Sequence, residues 1–492
     1  MNIVWDETPH LEGGLLLSQG HLQDYFALTR YPPLLDTIIA GYFKLFGASV
    51  FAGRLVSVTF SLLTLVVVFK LASKAYGRKI AFLSSLILAT MPGFIWLSRV
   101  SLLEMALEFF FVTALLLFLY WLHSGKNTTI LLSGIVLGCA FLTKYQGLVA
   151  GLVMVISVPF VLYHSQFKAK ISRLFFLIIA SGAIVVPVLI SIYASGTLSQ
   201  WISLIQQSDM QTNQYSVRFP MSIFYLLEMT VPLDFVHPIN ILVFILGLHG
   251  LALFIWRRKP EDKLFLIWFA VVYVFFTFIA TKSWRYVMPI FPVIAISAAS
   301  FISFLYDKLQ KTWKAPQVDV DKKLITKILA GFLILFTTVA LVYSTVDAYG
   351  WLQKDAVSIP LPDAVHYVAN GFTTSNQSVM VIAPDNYINQ DMTDFYLSGY
   401  EAKNNLAWQY PLVPVDAYTP DFNITQMISL CQQKDVKYLL LYENKNTPFF
   451  NSTITPTMVL ENILQSGKFY DQSTFGTAPR RIFVLQVNET AM

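Results

Sequence analysis

Long apolar runs, separated by short polar segments, fill most of the first 346 residues of the chain. Each run is long enough, or nearly so, for a helix to cross about 30 Å of hydrocarbon. The pattern predicts ten membrane-spanning helices, the shortest over residues 128–143. The ten runs cover about 51–71, 80–98, 105–123, 128–143, 146–163, 174–195, 239–256, 264–280, 287–305 and 327–346.

Lysine and arginine are concentrated in every second loop between these runs. Because basic loops tend to stay on the cytoplasmic side of a membrane, we expect these loops to be cytoplasmic. The alternate loops, residues 1–50 and the tail from residue 347 then lie outside. An even number of spans that begins outside also ends outside, so the span count and the charge pattern agree.

The tail contains no further long apolar run and predicts a small folded domain. Short, continuously apolar strands alternate in it with helical segments, which is typical of a sheet covered by helices. The predicted fold class is therefore a polytopic α-helical membrane domain, residues 1–346, followed by an extracytoplasmic α/β domain, residues 347–492. The segments of the tail are strands at 378–383, 436–442 and 481–487 and helices at 423–434 and 456–466.

The composition supports this division. The chain has 492 residues, of which 55% are hydrophobic and 13% are charged, whereas soluble domains carry about 25% charge. This excludes a soluble enzyme, a disordered chain and a fibrous repeat. The net charge of +5 combines an acidic tail, with 8 Lys and Arg against 14 Asp and Glu, and a basic membrane part. The two cysteines, Cys139 and Cys431, are far apart, which disfavours a disulfide and excludes a cysteine-based metal site.

Few basic residues fall in the loops predicted to lie outside. A cation at a membrane boundary is costly unless it is paired or hydrated, so these residues are candidates for binding an anion such as a lipid phosphate. The alternative is that each side chain only reaches towards the membrane surface. Arg99, Lys144 and Arg285 are the strongest candidates because each lies at a helix end beside other polar groups. The full set is Arg30, Lys44, Arg54, Arg99, Lys144, Arg218, Lys282 and Arg285.

Carboxylates in the same loops offer acid–base chemistry. Asp6 and Glu7 form an adjacent pair, and one of them could act as a general base for an acceptor hydroxyl; the alternative is a solvated loop. Glu104 and Glu108 share one face of a predicted helix. Glu104 follows Arg99 by five residues. It could form an ion pair with Arg99 or be part of the polar wall of a site.

Two proline-containing segments are also predicted to lie at the outer face of the membrane. Tyr31-Pro32-Pro33-Leu34 begins an amphipathic stretch that predicts a helix lying in the membrane interface, with a re-entrant segment as the alternative. Pro289 and Pro292 predict a bent helix start that can line a cavity. Arg285, just before them, can hold a phosphate through two hydrogen bonds.

Together these residues resemble the GT-C glycosyltransferases of family 39, the superfamily of protein O-mannosyltransferases and aminoarabinose transferases. The resemblance covers roughly residues 1–305 and depends on the order of its pieces. The family usually has aspartate where this chain has Glu104, so the carboxylate is retained. The matching pieces are Asp6-Glu7, Tyr31-Pro32-Pro33-Leu34, Phe46-Gly47, Arg54-Leu55, Tyr76-Gly77-Arg78, Ser98-Arg99 to Glu104, Phe141 to Lys144, and Arg285-Tyr286 with Pro289 and Pro292.

The resemblance implies a GT-C membrane glycosyltransferase that moves a sugar from a polyprenyl or dolichyl phosphate to an acceptor on the extracytoplasmic face, with inversion of the anomeric carbon. The acceptor class, protein, lipid or glycan, stays open. Asp6 or Glu7 would deprotonate the acceptor. The roles implied are catalysis by Asp6, Glu7 and Glu104, donor-phosphate binding by Lys144, Arg285, Tyr286 and Arg99, and contact with the acceptor or the site wall by Tyr31, Pro33, His237 and Asp234.

No cofactor is firmly implied. A divalent cation held by Asp6 and Glu104 stays open, the histidines show no metal-ligand spacing, and no nucleotide-binding glycine-rich loop is present. Family members carry a membrane span before the acidic pair, so we expect a first span that precedes the present start. The expected partners are the lipid-phosphate sugar, the acceptor and the membrane, with no nucleic acid, and the expected location is the plasma membrane.

Two other classes of function compete with glycosyl transfer. A transporter or lipid flippase should show paired halves with interrupted helices near the middle of the membrane, but no convincing internal repeat is present and the outer charges collect at one face. A non-catalytic membrane scaffold would leave Asp6, Glu104, Lys144 and Arg285 without a shared task. The discriminating observation is whether these four residues converge.

Overall fold

A computed structural model gives the fold of the chain, which divides into two compact units. The membrane unit comprises Leu16–Leu45 and Phe51–Lys354, and the tail unit comprises Met1–Leu15, Phe46–Val50 and Asp355–Met492. The structure describes residues 5–28, 31–162, 170–199, 202–203, 219–230, 237–279, 281–354, 359–372, 377–383, 388, 390–403, 412–414, 424–445, 448–449 and 453–488.

Helices account for nearly all of the regular structure before the tail. Short 3-10 helices lie at Trp5–Glu7, Tyr145–Gly147 and Trp284–Ile290. The α-helices are α1 Thr8–Gln19, α2 Leu22–Leu28, α3 Leu34–Phe46, α4 Val50–Tyr76, α5 Arg78–Thr90, α6 Pro92–Leu97, α7 Leu103–Ser124, α8 Asn127–Thr143, α9 Leu148–Val161, α10 Leu174–Ala194, α11 Phe224–Glu228, α12 Ile241–Arg257, α13 Pro260–Phe278, α14 Phe291–Lys314 and α15 Val320–Lys354.

Every predicted apolar run coincides with a helix or with two consecutive helices. Among the described residues, five helical segments are long and apolar enough to cross a membrane, and three apolar helices are shorter. The chain is an integral membrane protein, while the count of ten spans stays a prediction. The five segments are Val50–Tyr76, Leu103–Ser124, Leu174–Ala194, Trp284–Lys314 and Val320–Gln353, and the three shorter helices are Asn127–Thr143, Tyr145–Val161 and Ile241–Arg257.

The run predicted at 80–98 is broken at Pro92, which begins α6 directly after α5. Proline has no backbone N–H and its ring opposes continuation of the preceding helix. The freed carbonyl of Thr90 accepts a hydrogen bond of 2.6 Å from the Ser344 hydroxyl of α15. The break is therefore stabilised by a contact from the last helix of the membrane unit.

Basic residues in the loops predicted to be cytoplasmic cap helix ends. Lys170 Nζ donates to the Leu122 carbonyl at 2.6 Å, and Arg173 donates to the Gly125 carbonyl at 2.5 Å. These carbonyls lie at the end of α7, where no intrahelical donor remains for them. The same cations that predict orientation thus also stabilise helix termini.

Asp262, at the start of α13, is fully buried and joins three segments of the membrane unit. Arg257 donates to both of its oxygens, at 2.8 and 2.5 Å, and the Tyr76 hydroxyl donates to Oδ1 at 2.7 Å. The backbone N–H of Lys259 donates to Oδ2 at 2.9 Å, which closes the first turn of α13. All the acceptor capacity of this carboxylate is used.

Replacing Asp262 with alanine is expected to destabilise the membrane unit by about 3 kcal/mol, because Arg257 and Tyr76 lose a buried partner. Thermal unfolding in detergent measures the change. Glu261→Gln is the matched control, since Glu261 contacts the half-exposed His123 at 3.1 Å, a pair worth less than about 1 kcal/mol. Equal melting temperatures for the two variants would contradict the assigned role of Asp262.

The amphipathic segment after Tyr31 forms α3, as predicted. Leu35, Ile39 and Phe43, spaced four residues apart, bury one face. The Tyr42 hydroxyl donates to Thr59 of α4 at 3.0 Å, which ties α3 to a long apolar helix. The helix is therefore an element attached to the membrane unit, with its opposite face exposed.

The tail unit contains a five-stranded sheet in the order β2-β1-β3-β5-β4. β1 is parallel to β2 and β3, whereas β5 is antiparallel to β3 and β4. Helices on its faces bury the central strands, as the continuous apolar pattern predicts. The elements are α16 Leu361–Gly371, β1 Ser378–Ile382, α17 Gln390–Lys403, β2 Leu412–Pro414, α18 Ile424–Gln433, β3 Val436–Asn444, α19 Pro456–Gln465, β4 Phe469–Thr477 and β5 Arg480–Val487.

Three predicted strands and two predicted helices of the tail are confirmed, and β2, β4, α16 and α17 are additional. The core lies between the central strands and α18 and α19, and it includes the fully buried side chains of Leu439, Leu441 and Leu485. The boundary also differs from the sequence expectation, since α15 continues past residue 346 and the membrane unit ends at Lys354.

Candidate functional site

The centre of the candidate site is a buried ion pair between two helices. Lys144 Nζ lies 3.1 Å from Glu104 Oε1, and both side chains are more than nine-tenths buried. Glu104 is in the first turn of α7 and Lys144 directly follows α8, so the two segments of an antiparallel helix pair bring them together. The Arg99–Glu104 ion pair considered from the sequence is therefore not the contact that Glu104 makes; its partner is Lys144.

The backbone after α8 fixes the position of Lys144. Its N–H donates to the Ala140 carbonyl at 3.0 Å, and its own carbonyl accepts from the Gly147 N–H at 2.7 Å. A Cβ on Gly147 would lie 2.3 Å from the carbonyl carbon of Ala140, so only glycine allows this return of the chain. This tight turn ends α8 and holds Lys144 at the end of the helix.

The segment before α14 adds two more predicted residues. Tyr286 presents its ring 5.1 Å from Lys144 Nζ, within the range of a cation–π contact. The same ring stacks on Phe276 of α13, with centroids 6.0 Å apart. Arg285 lies within electrostatic range of the Glu104 carboxylate. Glu104, Lys144, Arg285 and Tyr286 are thus brought together in the membrane unit.

Within this group of residues, the cations outnumber the single carboxylate. Glu104 supplies one negative charge, Lys144 pairs with it directly, and Arg285 adds a second positive charge that acts on the same carboxylate from a greater distance. Arg99 lies in the turn between α6 and α7, five residues before Glu104, and is half-buried. Cations collected in a partly dry environment attract an anion more strongly than they would in water. The group is therefore suited to a phosphate.

Glu108 lies one helical turn beyond Glu104 and is 1% exposed. Among the residues that the structure describes, neither of its carboxyl oxygens has a hydrogen-bond partner. An isolated buried carboxylate is so costly that the group is expected to keep its proton. We therefore expect Glu108 to be a neutral acid one helical turn away from the charged Glu104.

Glu108→Gln is expected to leave the melting temperature nearly unchanged, because the amide matches a protonated carboxyl in size and charge. Glu108→Ala removes the buried side chain and is expected to cost about 2 kcal/mol through the resulting cavity. Thermal unfolding of the two purified variants in detergent distinguishes them. A glutamine variant as unstable as the alanine variant would show that Glu108 is ionised.

The remaining predicted residues belong to other elements of the chain. Asp6 is exposed and Glu7 is fully buried in a 3-10 helix of the tail unit. Tyr31 and Pro33 are half-buried at the entrance to α3, where the Pro33 carbonyl accepts from Thr37. Asp234 lies outside the described residues.

His237 precedes α12, and its Nδ1 lies 3.5 Å from Asp347 Oδ2 of α15. The contact joins two segments that are 110 residues apart in sequence, within the membrane unit. Within the described part of the chain, no three His, Cys, Asp or Glu side chains cluster in a way that could hold a metal ion. A cation held by Asp6 and Glu104 stays a prediction.

Comparisons with known proteins agree with this fold. Residues 13–204 match the family described as dolichyl-phosphate-mannose-protein mannosyltransferase. The undecaprenyl phosphate-alpha-4-amino-4-deoxy-L-arabinose arabinosyl transferase 2 of Proteus mirabilis (strain HI4320) is 25% identical over 323 residues, which cover 61% of this chain and 55% of that protein. This chain therefore aligns with about half the length of that relative.

Similarity to solved structures extends over nearly the whole chain. The crystal structure of ArnT from Cupriavidus metallidurans in the apo state has a TM-score of 0.64 and 16% identity, and the match covers 98% of this chain and 93% of ArnT. This chain has the GT-C fold. The same ArnT bound to undecaprenyl phosphate gives a TM-score of 0.57 with 15% identity over 98% of this chain and 94% of ArnT. The resemblance of this GT-C protein to family 39 is confirmed.

Two polar residues of this GT-C protein have roles that the sequence pattern does not reveal. Lys282, predicted on the outer face as a candidate for anion binding, is fully buried and donates to the Phe276, Thr277 and Ile279 carbonyls at the end of α13. It caps the end of α13, and a lysine four residues beyond the last helical residue, Phe278, is the signal that the sequence offers for this role. Asp347 was assigned to the tail, but it belongs to α15 and pairs with His237.

Proposed function

We propose that this GT-C protein is a glycosyltransferase that moves a sugar from a polyprenyl or dolichyl phosphate to an acceptor on the extracytoplasmic side of the membrane, with inversion at the anomeric carbon. The observation that carries the proposal is the buried Lys144–Glu104 pair at one end of apolar helices, with the Tyr286 ring against the lysine and Arg285 directly before Tyr286 in the chain. A lipid-linked phosphate reaches such a position from the membrane.

Lys144 and Arg285 are assigned to the phosphate of the donor. When the bond from the anomeric carbon to the phosphate oxygen breaks, negative charge develops on the departing lipid phosphate. Cations already held in place by surrounding contacts stabilise that charge without reorganisation. Tyr286 fixes the direction of Lys144, and Arg99 is assigned to the same anion from the neighbouring turn.

Glu104 is assigned a positioning role for Lys144. The buried carboxylate holds the ammonium group at the end of α8 by a hydrogen bond of 3.1 Å. It also limits the excess positive charge of the site before the donor binds. A neutral side chain at this position would leave the lysine buried without its counter-charge, which is costly.

Asp6 is the candidate general base. Its carboxylate is exposed, whereas that of Glu7 is buried, and a base must reach the acceptor hydroxyl to remove its proton. The acceptor class is open between protein, lipid and glycan, with Tyr31, Pro33, His237 and Asp234 as candidate contacts. A divalent cation that assists Asp6 and Glu104 is an additional hypothesis.

Transport or lipid flipping is the less favoured function. The matched family and the Proteus relative carry the names of transferases, and the ArnT structure that shares this fold contains undecaprenyl phosphate. We also propose that the tail unit lies on the extracytoplasmic side of the plasma membrane, as the alternation of basic loops predicts.

Arg285→Ala is expected to weaken the binding of polyprenyl phosphate by roughly 10- to 100-fold. This is the loss in affinity expected when hydrogen bonds to a charged group are removed. Binding of a short-chain polyprenyl phosphate to the purified protein in detergent measures this change. Lys79→Ala is the matched control, because Lys79 is exposed at the start of α5. Wild-type affinity in the Arg285 variant would contradict the phosphate assignment.

A further inference from the structure

Three tryptophans from distant parts of the chain form a cluster in the membrane unit. Trp96 of α6 and Trp351 of α15 stack with ring centroids 5.2 Å apart and planes 8° apart. Trp284, which precedes α14, lies 6.0 Å from each of them and also stacks on Phe291. Aromatic pairs at these distances are favourable beyond their buried area.

Two of the three tryptophans adjoin the arginines assigned to the donor phosphate. Trp284 immediately precedes Arg285 in the same 3-10 helix. The carbonyl of Trp96 accepts a hydrogen bond of 3.1 Å from the backbone N–H of Arg99. Trp351 packs against both tryptophans, so a single side chain contacts the two segments that carry these arginines.

Gly93 shows how closely these segments pack. Its N–H donates to the Pro238 carbonyl at 2.9 Å. A Cβ at this position would lie 3.0 Å from Trp284, Phe291 and the Pro238 carbonyl. The start of α6, the segment before α12 and the segment that carries Arg285 are therefore in direct contact.

The same end of α15 makes other contacts with these segments. Asp347 lies one turn before Trp351, on the same face of the helix, and pairs with His237 at 3.5 Å. Ser344, a further turn earlier, donates to the Thr90 carbonyl at the break before α6. The end of α15 thus contacts the loop before α12, the broken helix and the Arg285 segment.

We propose that Trp351 is a positioning residue for the phosphate-binding arginines, acting through Trp96 on Arg99 and through Trp284 on Arg285. The inference rests on the proposed function, because it assumes that these arginines hold the donor phosphate. Trp351 itself is 8% exposed and packs against the other two rings, so it acts by packing and not by touching the phosphate.

The physical reason lies in the precision that a charged site requires. An arginine that binds a phosphate through two hydrogen bonds loses much of its binding energy when its backbone shifts by about 1 Å. On the side towards α13, Tyr286 is held by Phe276. On the other side Trp284 is held by Trp96 and Trp351. Arg285 therefore lies between two anchored aromatic residues, and removing Trp351 releases one anchor.

The test compares Trp351→Ala, Trp351→Phe and Tyr349→Ala for the binding of a short-chain polyprenyl phosphate. Tyr349 is an exposed aromatic residue two positions away on the same helix and is the matched control. The alanine variant is expected to bind about tenfold more weakly. The phenylalanine variant should stay within about threefold of the wild type, because it keeps an aromatic packing surface, and the Tyr349 variant should bind as the wild type does.

A double-mutant cycle separates positioning from a general loss of structure. In an Arg285→Ala background, Trp351→Ala is expected to weaken binding by about threefold or less, because one of its two targets is gone. An undiminished tenfold effect in that background, or wild-type binding in the single variant, would overturn the proposal. If Trp351→Ala does not fold, the same cycle with Trp351→Leu decides, because leucine fills part of the space but cannot stack on the two rings. Full additivity in that cycle overturns the proposal.

The outcome is distinguishable from failure of the proposed function. If the wild-type protein does not bind polyprenyl phosphate, or if Arg285→Ala binds it normally, the assignment of the phosphate site is wrong and the positioning role falls with it. If the wild type binds and Arg285→Ala weakens binding while Trp351→Ala does not, only the positioning role is wrong.

Discussion

Replacing Lys144 with methionine is expected to reduce sugar transfer by at least about 100-fold and to destabilise the protein by about 3–5 kcal/mol. Methionine keeps the length and much of the apolar stem of lysine, but it removes the charge. Glu104 is then left buried without the ammonium group that lies 3.1 Å away. The donor phosphate also loses one of the cations assigned to it.

The double variant Lys144→Met with Glu104→Gln separates these two effects. Both charges are removed, so no unpaired ion is buried and the melting temperature is expected to recover. Transfer is expected to stay low, because no cation is restored. Recovery of transfer together with stability would show that Lys144 has a structural role only. Thermal unfolding and transfer rates on the same preparations give both readouts.

Asp6→Asn is expected to lower the rate of sugar transfer by about 100- to 10,000-fold, which is the range expected for the loss of a general base. The protein is expected to stay folded. Asparagine has nearly the same shape as aspartate but cannot accept the proton of the acceptor hydroxyl. Asp6 is exposed, so the change buries no unpaired group. Transfer rates at saturating donor, with thermal unfolding as the check on folding, measure the effect.

Glu7→Gln is the companion variant, since Glu7 is adjacent to Asp6 but fully buried. Its effect is expected on stability more than on the chemical step. Near-wild-type transfer by Asp6→Asn, with a large loss in Glu7→Gln at unchanged stability, would reverse the assignment of the base within the acidic pair.

The helices of the membrane unit could be predicted because an apolar run is recognisable from the local sequence alone. Burial against other helices and contact with lipid both favour the same side chains, so the runs reveal helices without any knowledge of their neighbours. Tertiary pairing is not encoded in this way. Glu104 binds Lys144, 40 residues away, because α7 and α8 pack side by side, while the sequence suggested Arg99 only because it is near in the chain.

The end of α15 shows a second limit. After residue 346 the apolar run stops and polar residues begin, which predicts the start of the tail. The helix continues to Lys354, because Asp347 and Trp351 gain partners in the membrane unit that a local pattern does not display. Their contribution to the candidate site could be found only from the packing of distant segments.

In the tail, β1, β3 and β5 were predictable because central strands are apolar on both faces. β4 is an edge strand whose residues after Phe469 are mostly exposed and polar, so neither alternation nor an apolar run marks it. Its register is set by pairing with β5, which is again information from a partner strand.

The proposed function requires a lipid-phosphate sugar as the donor, so the release of the sugar from its carrier is the decisive measurement. The purified protein is incubated in detergent or liposomes with a panel of polyprenyl- and dolichyl-phosphate sugars and with a membrane extract that supplies protein, lipid and glycan hydroxyls as acceptors. Lys144→Met and Asp6→Asn are the inactive controls. At least one sugar is expected to leave its lipid phosphate with the wild type and with neither variant. Equal release by the wild type and by both variants, for every sugar of the panel, would contradict the proposed function.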